Sequence, residues 1–261
     1  MIYKSRPRKR TESDEPEKPF WISYADLMTS LMMLFLAIMV TSLIIISQKT
    51  KAYDEYTSQH EERTIDKQAL CSIIQKGAEN SPYSVVVQCN SEDHQVHFGD
   101  VGRFKHDDHR LSVEGVKALR SFVPVILEAA SSQEGQKWMK QIQIEGFTDT
   151  DGSYLYNLHL SMQRSEFVMC SMIDDRLVPE ASKAYPLTPE QKQKIRKLFL
   201  AGGVSFNHSQ ETKEQSRRVE LRIVFIGVNE KNAKNQKVEN DDIDPLVLDR
   251  DYCRIYNRAK R

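Results

Sequence analysis

An uncharged apolar stretch near the N-terminus constrains this chain more than any other feature. From Leu27 to Ile46 there are 20 consecutive residues without a charge. At about 1.5 Å of rise per helical residue, this stretch can cross a hydrocarbon core of roughly 30 Å. It is longer than the apolar region of a cleaved signal peptide, typically about 7–15 residues, and no small-x-small cleavage site follows it. We therefore predict an uncleaved transmembrane helix over residues 19–47.

The charges and aromatic residues around this stretch predict its orientation. Five basic residues lie between positions 4 and 10. Lysine and arginine favour the cytoplasmic side, and aromatic side chains favour the membrane interface. We therefore predict a cytoplasmic tail over residues 1–18, a single-pass inner-membrane protein, and a periplasmic location for everything after Ser47. The aromatic residues of the expected interfacial belt are Phe20, Trp21 and Tyr24.

The rest of the chain is long enough for one domain with linkers. The sequence carries 37 basic and 37 acidic side chains. It has no net positive charge and no long basic stripe, so we expect no nucleic-acid partner. Residues 49–76 lack proline and glycine, which predicts a helical linker over residues 48–80. The highly charged residues 228–261 predict a loosely ordered C-terminal tail.

An apolar stripe along the linker leaves two alternatives open. It could pair with a second copy of the chain, in a helix that ends at Gly77, or the linker could be a lone solvated helix. The stripe consists of Ile65, Ala69, Leu70, Ile73 and Ile74.

Residues 81–227 predict an α+β domain, because short alternating strands are separated by amphipathic helices. The expected order is a hairpin, a helix kinked at Pro124, a half-buried strand, a second long helix and a closing strand. The segment Leu198–Gly203 fits either a helix end or a strand. The expected core stripe of the second long helix is Leu155, Leu158, Met162, Met169 and Ile173. The element bounds, in the same order, are Tyr83–Gln88 with Gln95–Phe98, Leu111–Ala130, Gln141–Glu145, Ser153–Ile173 and Val219–Phe225.

Four cysteines follow the predicted span, in a compartment that would be oxidising. They allow three pairings, and the sequence does not choose among them. A bridge between Cys71 and Cys89 would join the linker helix to the first strand, whereas free, buried thiols are the alternative. The other two are Cys170 and Cys253, and the spacing of the four fits no zinc pattern.

Asp26 borders the uncharged stretch and is the candidate functional residue of the span. A carboxylate near the bilayer centre costs about 3 kcal/mol, so ionisable residues there mark functional sites. Asp26 could be an enclosed ion carrier that alternates between protonated and charged forms, or an interfacial carboxylate favoured by the helix N-terminus. Its helical face is small or polar, which predicts close packing against other helices. The expected channel-facing residues are Thr29, Ser30 and Met33, and the face continues through Ala37 and Thr41.

The sequence around Asp26 resembles a known family. Residues 21–29, Trp-Ile-Ser-Tyr-Ala-Asp-Leu-Met-Thr, with Met32 and Met33, resemble the transmembrane signature of flagellar-motor stator B subunits. Residues 17–40 are more similar still to the B-subunit family of the Zorya anti-phage defence system, a stator-like membrane complex. The resemblance implies that Asp26 carries H⁺ or Na⁺, that two copies of the chain form a dimer, and that a polytopic A subunit forms a ring around them.

A second set of motifs lies in the C-terminal domain. A strand ending in Gly-Phe-Thr-Asp is followed by Asn-x-x-Leu-Ser-x-x-Arg on a helix, and later by Ser-Arg-Arg-Val-Glu at residues 216–220. The set is similar to the OmpA-type peptidoglycan-binding domain over residues 96–226, which implies an OmpA-like β/α sandwich. Phe147 stands where that family usually has histidine, Ser216 replaces an asparagine, and residues 179–215 follow the family poorly. The implied peptidoglycan-binding residues are Thr148, Asp149, Asn157, Leu160, Ser161 and Arg164.

These side chains would bring opposite charges to one rim. Arg164 would bind a carboxylate through two hydrogen bonds and Asp149 would pair with an ammonium group, so the set suits a zwitterion. The resemblance implies the diaminopimelate of a peptidoglycan stem peptide as the ligand. The structural alternative is that Asp149 caps the helix and forms a salt bridge with Arg164.

Catalysis has weaker support in the sequence. Asp149 and Asp151 could suit glycoside hydrolysis, and nearby histidines with Asp107 and Asp108 could bind a metal. Neither set has a supporting arrangement, so we expect no enzyme activity, no cofactor and no metal.

The predicted function is that of the wall-anchored subunit of an ion-driven, stator-like motor in anti-phage defence. A flagellar stator B subunit that serves motility is the first alternative. A passive protein that tethers the membrane to peptidoglycan is the second.

Overall fold

The computed structural model describes residues 20–90, 93–227 and Cys253. The chain divides into two compact units, residues 1–57 and residues 58–261. The predicted tail over residues 1–18 lies outside the described residues, as does the predicted tail over residues 228–261 apart from Cys253.

Helices and strands alternate along the described residues after one very long helix. The helices are α1 (Phe20–Glu79), α2 (Val113–Ser131), α3 (Gln133–Trp138), α4 (Tyr154–Ile173), α5 (Pro179–Ala184), α6 (Pro189–Leu198) and α7 (Lys213–Ser216). The strands are β1 (Val86–Cys89), β2 (Asp93–His97), β3 (Met139–Phe147), β4 (Phe199–Ser205) and β5 (Val219–Phe225).

In the first unit, α1 carries the predicted span. Among the described residues it is the one helix long and apolar enough to cross a membrane. Its large apolar side chains between Leu27 and Ile46 are exposed, and a helix that is apolar all round is suited to lipid or to other apolar helices. The hydroxyl of Thr41 donates to the Ala37 carbonyl oxygen at 3.0 Å. The Thr41 hydroxyl therefore has a hydrogen-bond partner within the helix, as a hydrocarbon environment requires.

The second unit is built on one five-stranded sheet in the order β1-β2-β5-β3-β4. Every neighbouring pair is antiparallel except β3 and β4, which are parallel and are joined through α4, α5 and α6. The segment Leu198–Gly203, left open by the sequence, falls almost wholly within the edge strand β4. The predicted fold class, an apolar transmembrane helix followed by an α+β domain, is confirmed.

One face of the sheet packs against the helices. Ile142 and Ile144 of β3 and Leu221 and Ile223 of β5 are fully buried in the hydrophobic core. The residues between them on these strands, Gln143 and Arg222, are polar, and Arg222 Nη2 lies 3.0 Å from Glu145 Oε2. The alternation that predicted these two strands therefore separates an apolar face from a polar face.

The last part of α1 belongs to the core of the second unit. Leu70 and Ile74 are fully buried there, so the alternative of a lone solvated helix is wrong for this part of α1. The helix also does not end at Gly77. A Cβ atom at that position would lie 2.2 Å from Val125 Cγ1, so the glycine lets α1 approach α2 closely and continue to Glu79.

Disulfide bonds join the four cysteines in pairs. Cys71 of α1 is bonded to Cys89 of β1, and Cys170 of α4 is bonded to Cys253. The suggested bridge between the helical linker and the first strand is therefore present.

The predicted core stripe of α4 is wrong at two of its five positions, whereas Met169 and Ile173 do pack against the core. Leu155 is 73% exposed and Met162 is 51% exposed. The buried face of α4 instead includes Asn157, Ser161 and Arg164, each with an exposure of 1% or less. Polar side chains occupy this face because they hydrogen-bond to backbone groups, which compensates for their loss of water.

Candidate functional site

The first candidate site is the stripe of α1 around Asp26. Asp26, Ser30 and Met33 recur at intervals of four and three residues, so they share one helical face, with Thr29 beside them. The Thr29 hydroxyl donates to the Asp26 carbonyl oxygen at 2.9 Å, and the Ser30 hydroxyl donates to the Leu27 carbonyl oxygen at 3.0 Å. Within the stripe, Asp26 is the ionisable side chain.

The second candidate site forms where β3 passes into α4. The register of β3 shifts between Gly146 and Phe147, and a turn through Gly152 leads to Ser153, whose hydroxyl accepts from the Tyr156 N–H and caps α4. Gly152 has φ +93°, a conformation that favours glycine. A Cβ atom at Gly146 would lie 2.1 Å from the Ser161 carbonyl oxygen. The strand and the helix thus lie close enough to bring their polar residues together.

An open pocket of about 210 Å³ lies at this junction. Four of the six predicted peptidoglycan-binding residues line it: Asp149, Asn157, Leu160 and Arg164. The other lining residues were not predicted to bind peptidoglycan. They are His106, Asp107, Asp151, Gly152 and Tyr156.

Asp149 is held as an anion at the pocket. Its Oδ2 atom lies 2.9 Å from Arg217 Nη1 and 3.5 Å from His106 Nδ1, and its Oδ1 atom accepts from the Asp151 N–H at 3.2 Å. Burial acts to raise the pKa of the Asp149 carboxyl, but the bonds from Arg217 and Asp151 outweigh it and hold the pKa below its ordinary value. The structural alternative is wrong in both parts, because Asp149 pairs with Arg217 and Ser153 caps α4.

Arg164 is fully buried, and each of its three guanidinium nitrogens donates to a backbone carbonyl. Nε donates to the Asp108 oxygen at 2.9 Å, Nη1 to the Phe147 oxygen at 2.6 Å and Nη2 to the Lys105 oxygen at 3.2 Å. Burial lowers the pKa of Arg164 to about 10, and the charge of Asp149 opposes that shift. Arg164 therefore remains charged at neutral pH and holds the loop over residues 105–108 against the end of β3.

The remaining predicted residues also make backbone contacts. The Asn157 amide donates to the Asp151 carbonyl oxygen at 2.7 Å and fixes the turn before α4. The Ser161 hydroxyl accepts from the Ser205 N–H at 3.1 Å and so joins α4 to β4. Thr148 is buried, and among the described residues its hydroxyl has no hydrogen-bond partner. Thr148 and Ser161 do not line the pocket.

The loop over residues 105–108 supplies the rim that the sequence did not reveal. Asp107 has φ +57°, an uncommon conformation outside glycine. Its carboxylate accepts a hydrogen bond from the Tyr156 hydroxyl of α4. Arg217 could have been predicted to lie at the site, because it belongs to the closing Ser-Arg-Arg-Val-Glu motif. Nothing in the sequence beyond their residue types pointed to His106 and Asp107.

Phe147 does not form part of the pocket rim. Its side chain is buried, and the Arg218 guanidinium carbon lies 4.1 Å from the centre of its ring. The aromatic residue at this position therefore forms a cation–π contact behind the pocket.

The N-terminal region matches a described family. Residues 4–56 match the family "Membrane MotB of proton-channel complex MotA/MotB". The matched segment includes Asp26 and the whole uncharged stretch.

Several solved structures have a partial likeness to the chain. An OmpA-like domain of FopA1 from Francisella tularensis is 19% identical, with a TM-score of 0.36, over 57% of this chain and 86% of that one. A MotB-like protein from Desulfovibrio vulgaris is 15% identical, with a TM-score of 0.42, over 64% of this chain and 99% of that one. At such scores these likenesses carry no argument for function.

A full-length relative is much more similar. The Zorya protein ZorB of Escherichia coli O139:H28 (strain E24377A / ETEC) is 49% identical over 247 residues, which is 95% of each chain. The similarity covers the stripe around Asp26 as well as the pocket of the second unit. With nearly half of its residues shared over almost its whole length, the chain belongs to the ZorB family.

Proposed function

We propose that this protein is the wall-anchored subunit of an ion-driven, stator-like membrane complex that acts in anti-phage defence. The observation that carries the proposal is the 49% identity to a Zorya protein over 95% of both chains, which includes both candidate sites. The N-terminus would be cytoplasmic, α1 would cross the inner membrane once, and the pocket would face the periplasm. The proposed domain limits are those expected from the sequence: residues 1–18, 19–47, 48–80, 81–227 and 228–261.

Asp26 is the proposed ion carrier. One elementary charge gains roughly 2.3 kcal/mol per 100 mV of membrane potential, which is comparable with the cost of about 3 kcal/mol for a carboxylate in the span. Protonation or Na⁺ binding at Asp26 would remove that cost during each transfer. The match of residues 4–56 to a family described as part of a proton-channel complex supports this role. Thr29, Ser30 and Met33 would line the ion path between a dimer of this chain and a polytopic A subunit.

The pocket is the proposed peptidoglycan site. Asp149, kept negative by its low pKa, suits the ammonium group of a zwitterionic ligand, and Asn157, Leu160 and Arg164 shape the wall around it. The proposed ligand is the diaminopimelate of a stem peptide, with Thr148 and Ser161 supporting the site from behind. We propose binding without catalysis, because an acid held ionised by Arg217 is a poor proton donor.

The test of the ion-carrying role is Asp26→Asn in a strain that depends on the complex. We expect the variant to assemble at wild-type levels and to lose protection against phage, because an amide cannot take up and release a proton. Asp54→Asn, in the same helix but beyond the apolar stretch, is the matched control and should protect fully. Full protection by Asp26→Asn would exclude the ion-carrying role and would favour a passive protein that tethers the membrane to peptidoglycan.

The second candidate function is a flagellar stator, favoured by the family match at residues 4–56. Deletion of the gene separates the two candidates. Loss of swimming with unchanged phage plating would identify a motility protein, and the reverse result would identify a defence protein.

A further inference from the structure

Two ion pairs at the pocket come from one short segment of the chain. Lys213 Nζ of α7 lies 2.6 Å from Asp151 Oδ1, and Arg217, four residues later, lies 2.9 Å from Asp149 Oδ2. The backbone of this segment is fixed by a capping box, in which Thr212 and Gln215 exchange hydrogen bonds. The position of Lys213 beside the pocket is therefore set by the fold.

The two basic side chains differ in how freely they can meet a ligand. The side chain of Arg217 is 11% exposed, and its two terminal nitrogens donate to the carboxylates of Asp149 and Glu214. The side chain of Lys213 is 55% exposed, and Asp151 is its described partner. An ammonium group has three donors, so Lys213 can bind a second carboxylate without leaving Asp151.

The other basic groups at the pocket are less suited to a ligand carboxylate. Arg164 is fully buried, and its three nitrogens already donate to carbonyl oxygens. His106 is exposed, but its Nδ1 atom lies 3.5 Å from Asp149 Oδ2, so it already faces the acid of the pocket. The bond to Asp151 raises the pKa of Lys213, so this side chain keeps its charge throughout the physiological range.

A purely structural role explains the Lys213–Asp151 pair poorly. Ion pairs between exposed side chains contribute little to stability, because water screens them and both side chains lose freedom. The pair instead leaves an exposed carboxylate of the pocket lining and an exposed ammonium group next to each other. That arrangement is complementary to a ligand that carries the same two groups on one carbon.

We propose that Lys213 is the specificity-determining residue of the pocket, where it binds the side-chain carboxylate of a diamino acid whose ammonium group is bound by Asp149 and Asp151. This inference rests on the proposed wall binding and adds a selection rule to it. A stem peptide with diaminopimelate at the third position has this carboxylate, whereas one with lysine lacks it. Lys213 should therefore favour the diaminopimelate form.

The test measures binding of the full-length chain, purified in detergent, to two synthetic tripeptides by calorimetry. One is L-Ala-γ-D-Glu-diaminopimelate and the other is L-Ala-γ-D-Glu-L-Lys. Lys213→Ala should weaken binding of the first roughly tenfold, the order expected for a hydrogen bond between charged groups, and leave the second unchanged. Lys213→Arg should retain the preference, since it keeps the charge. Lys117→Ala removes a comparable ion pair, with Glu114 at 2.7 Å, and should change neither affinity.

The outcomes separate this inference from the proposed function. If Asp149→Asn abolishes binding while Lys213→Ala binds both peptides as the wild type does, Lys213 is not the specificity residue and the wall site stands. An equal loss for both peptides in Lys213→Ala would show a general charge effect and would also overturn the inference. If the wild-type chain binds neither peptide, the proposed wall binding fails and the inference fails with it.

Discussion

The span and the pocket satisfy their polar groups in opposite ways. In the span, the hydroxyls of Thr29, Ser30 and Thr41 donate to carbonyls three or four residues earlier in α1. In the pocket, Arg164 reaches carbonyls 17, 56 and 59 residues away. The first kind of contact needs only a helix, whereas the second exists only when the domain is folded.

This difference separates function from stability. A polar substitution in the span should change ion transfer while leaving the second unit folded, as expected for Asp26→Asn. A substitution at a buried polar residue of the pocket should reduce binding and stability together. A loss of wall binding is therefore informative only when stability is measured on the same variant.

The largest expected effect is that of Arg164→Ala. Removing this guanidinium takes one donor from each of three carbonyl groups and opens a cavity, which should reduce the free energy of unfolding by about 4 kcal/mol. Urea unfolding of the full-length chain, followed by circular dichroism, measures it. The exposed Arg176 provides the control, since Arg176→Ala should change stability far less than Arg164→Ala does. A loss below about 1 kcal/mol for Arg164→Ala would show that its long-range hydrogen bonds contribute little to stability. That result would contradict the contrast between the pocket and the span.

A smaller effect is expected from removing the bridge between α1 and β1. The cysteines are 18 residues apart, and a loop of that length gives about 3 kcal/mol in the chain-entropy description. The double variant Cys71→Ser, Cys89→Ser should lose about that amount in the same unfolding measurement. Unchanged stability would show that the packing of Leu70 and Ile74 holds this part of α1 without the bridge.

The smallest expected effect concerns the acid side of the stability curve. Because the folded-state pKa of Asp149 lies below its ordinary value, the group stabilises the fold above a pH of about 4. That contribution is lost as the pH falls through the folded-state pKa. Asp149→Asn should therefore be less stable at neutral pH by about 1 kcal/mol, and its stability should fall less steeply below pH 4. Thermal unfolding between pH 2 and 7 tests this, with Asp54→Asn as the control, and parallel curves for Asp149→Asn and the wild type would contradict it.

Local patterns in the sequence predicted the elements of this fold well. The alternating segments Val219–Phe225 and Gln141–Glu145 lie within β5 and β3, and the predicted hairpin is present as the antiparallel pair of β1 and β2. The predictions of β3 and β5 succeed because both strands place alternate apolar residues in the core, so that the period of two appears in the sequence.

Long-range pairing was not predictable in the same way. The pattern of α4 predicted a stripe of apolar side chains in the core. No local rule indicates that asparagine, serine and arginine on the same helix will find backbone partners there. The pair of Arg217 with Asp149 spans 68 residues. Nor does local sequence show that the loop over residues 105–108 will meet α4.

The bridge between Cys71 and Cys89 has a mechanical consequence. In the proposed anchor, a pull along α1 would act on the part of the helix that lies in the second unit. There the force would pass to β1 through a covalent bond. Contacts between packed side chains can break one at a time under force. A helix bonded covalently to the edge strand of a sheet instead transmits the force to several hydrogen-bonded strands at once.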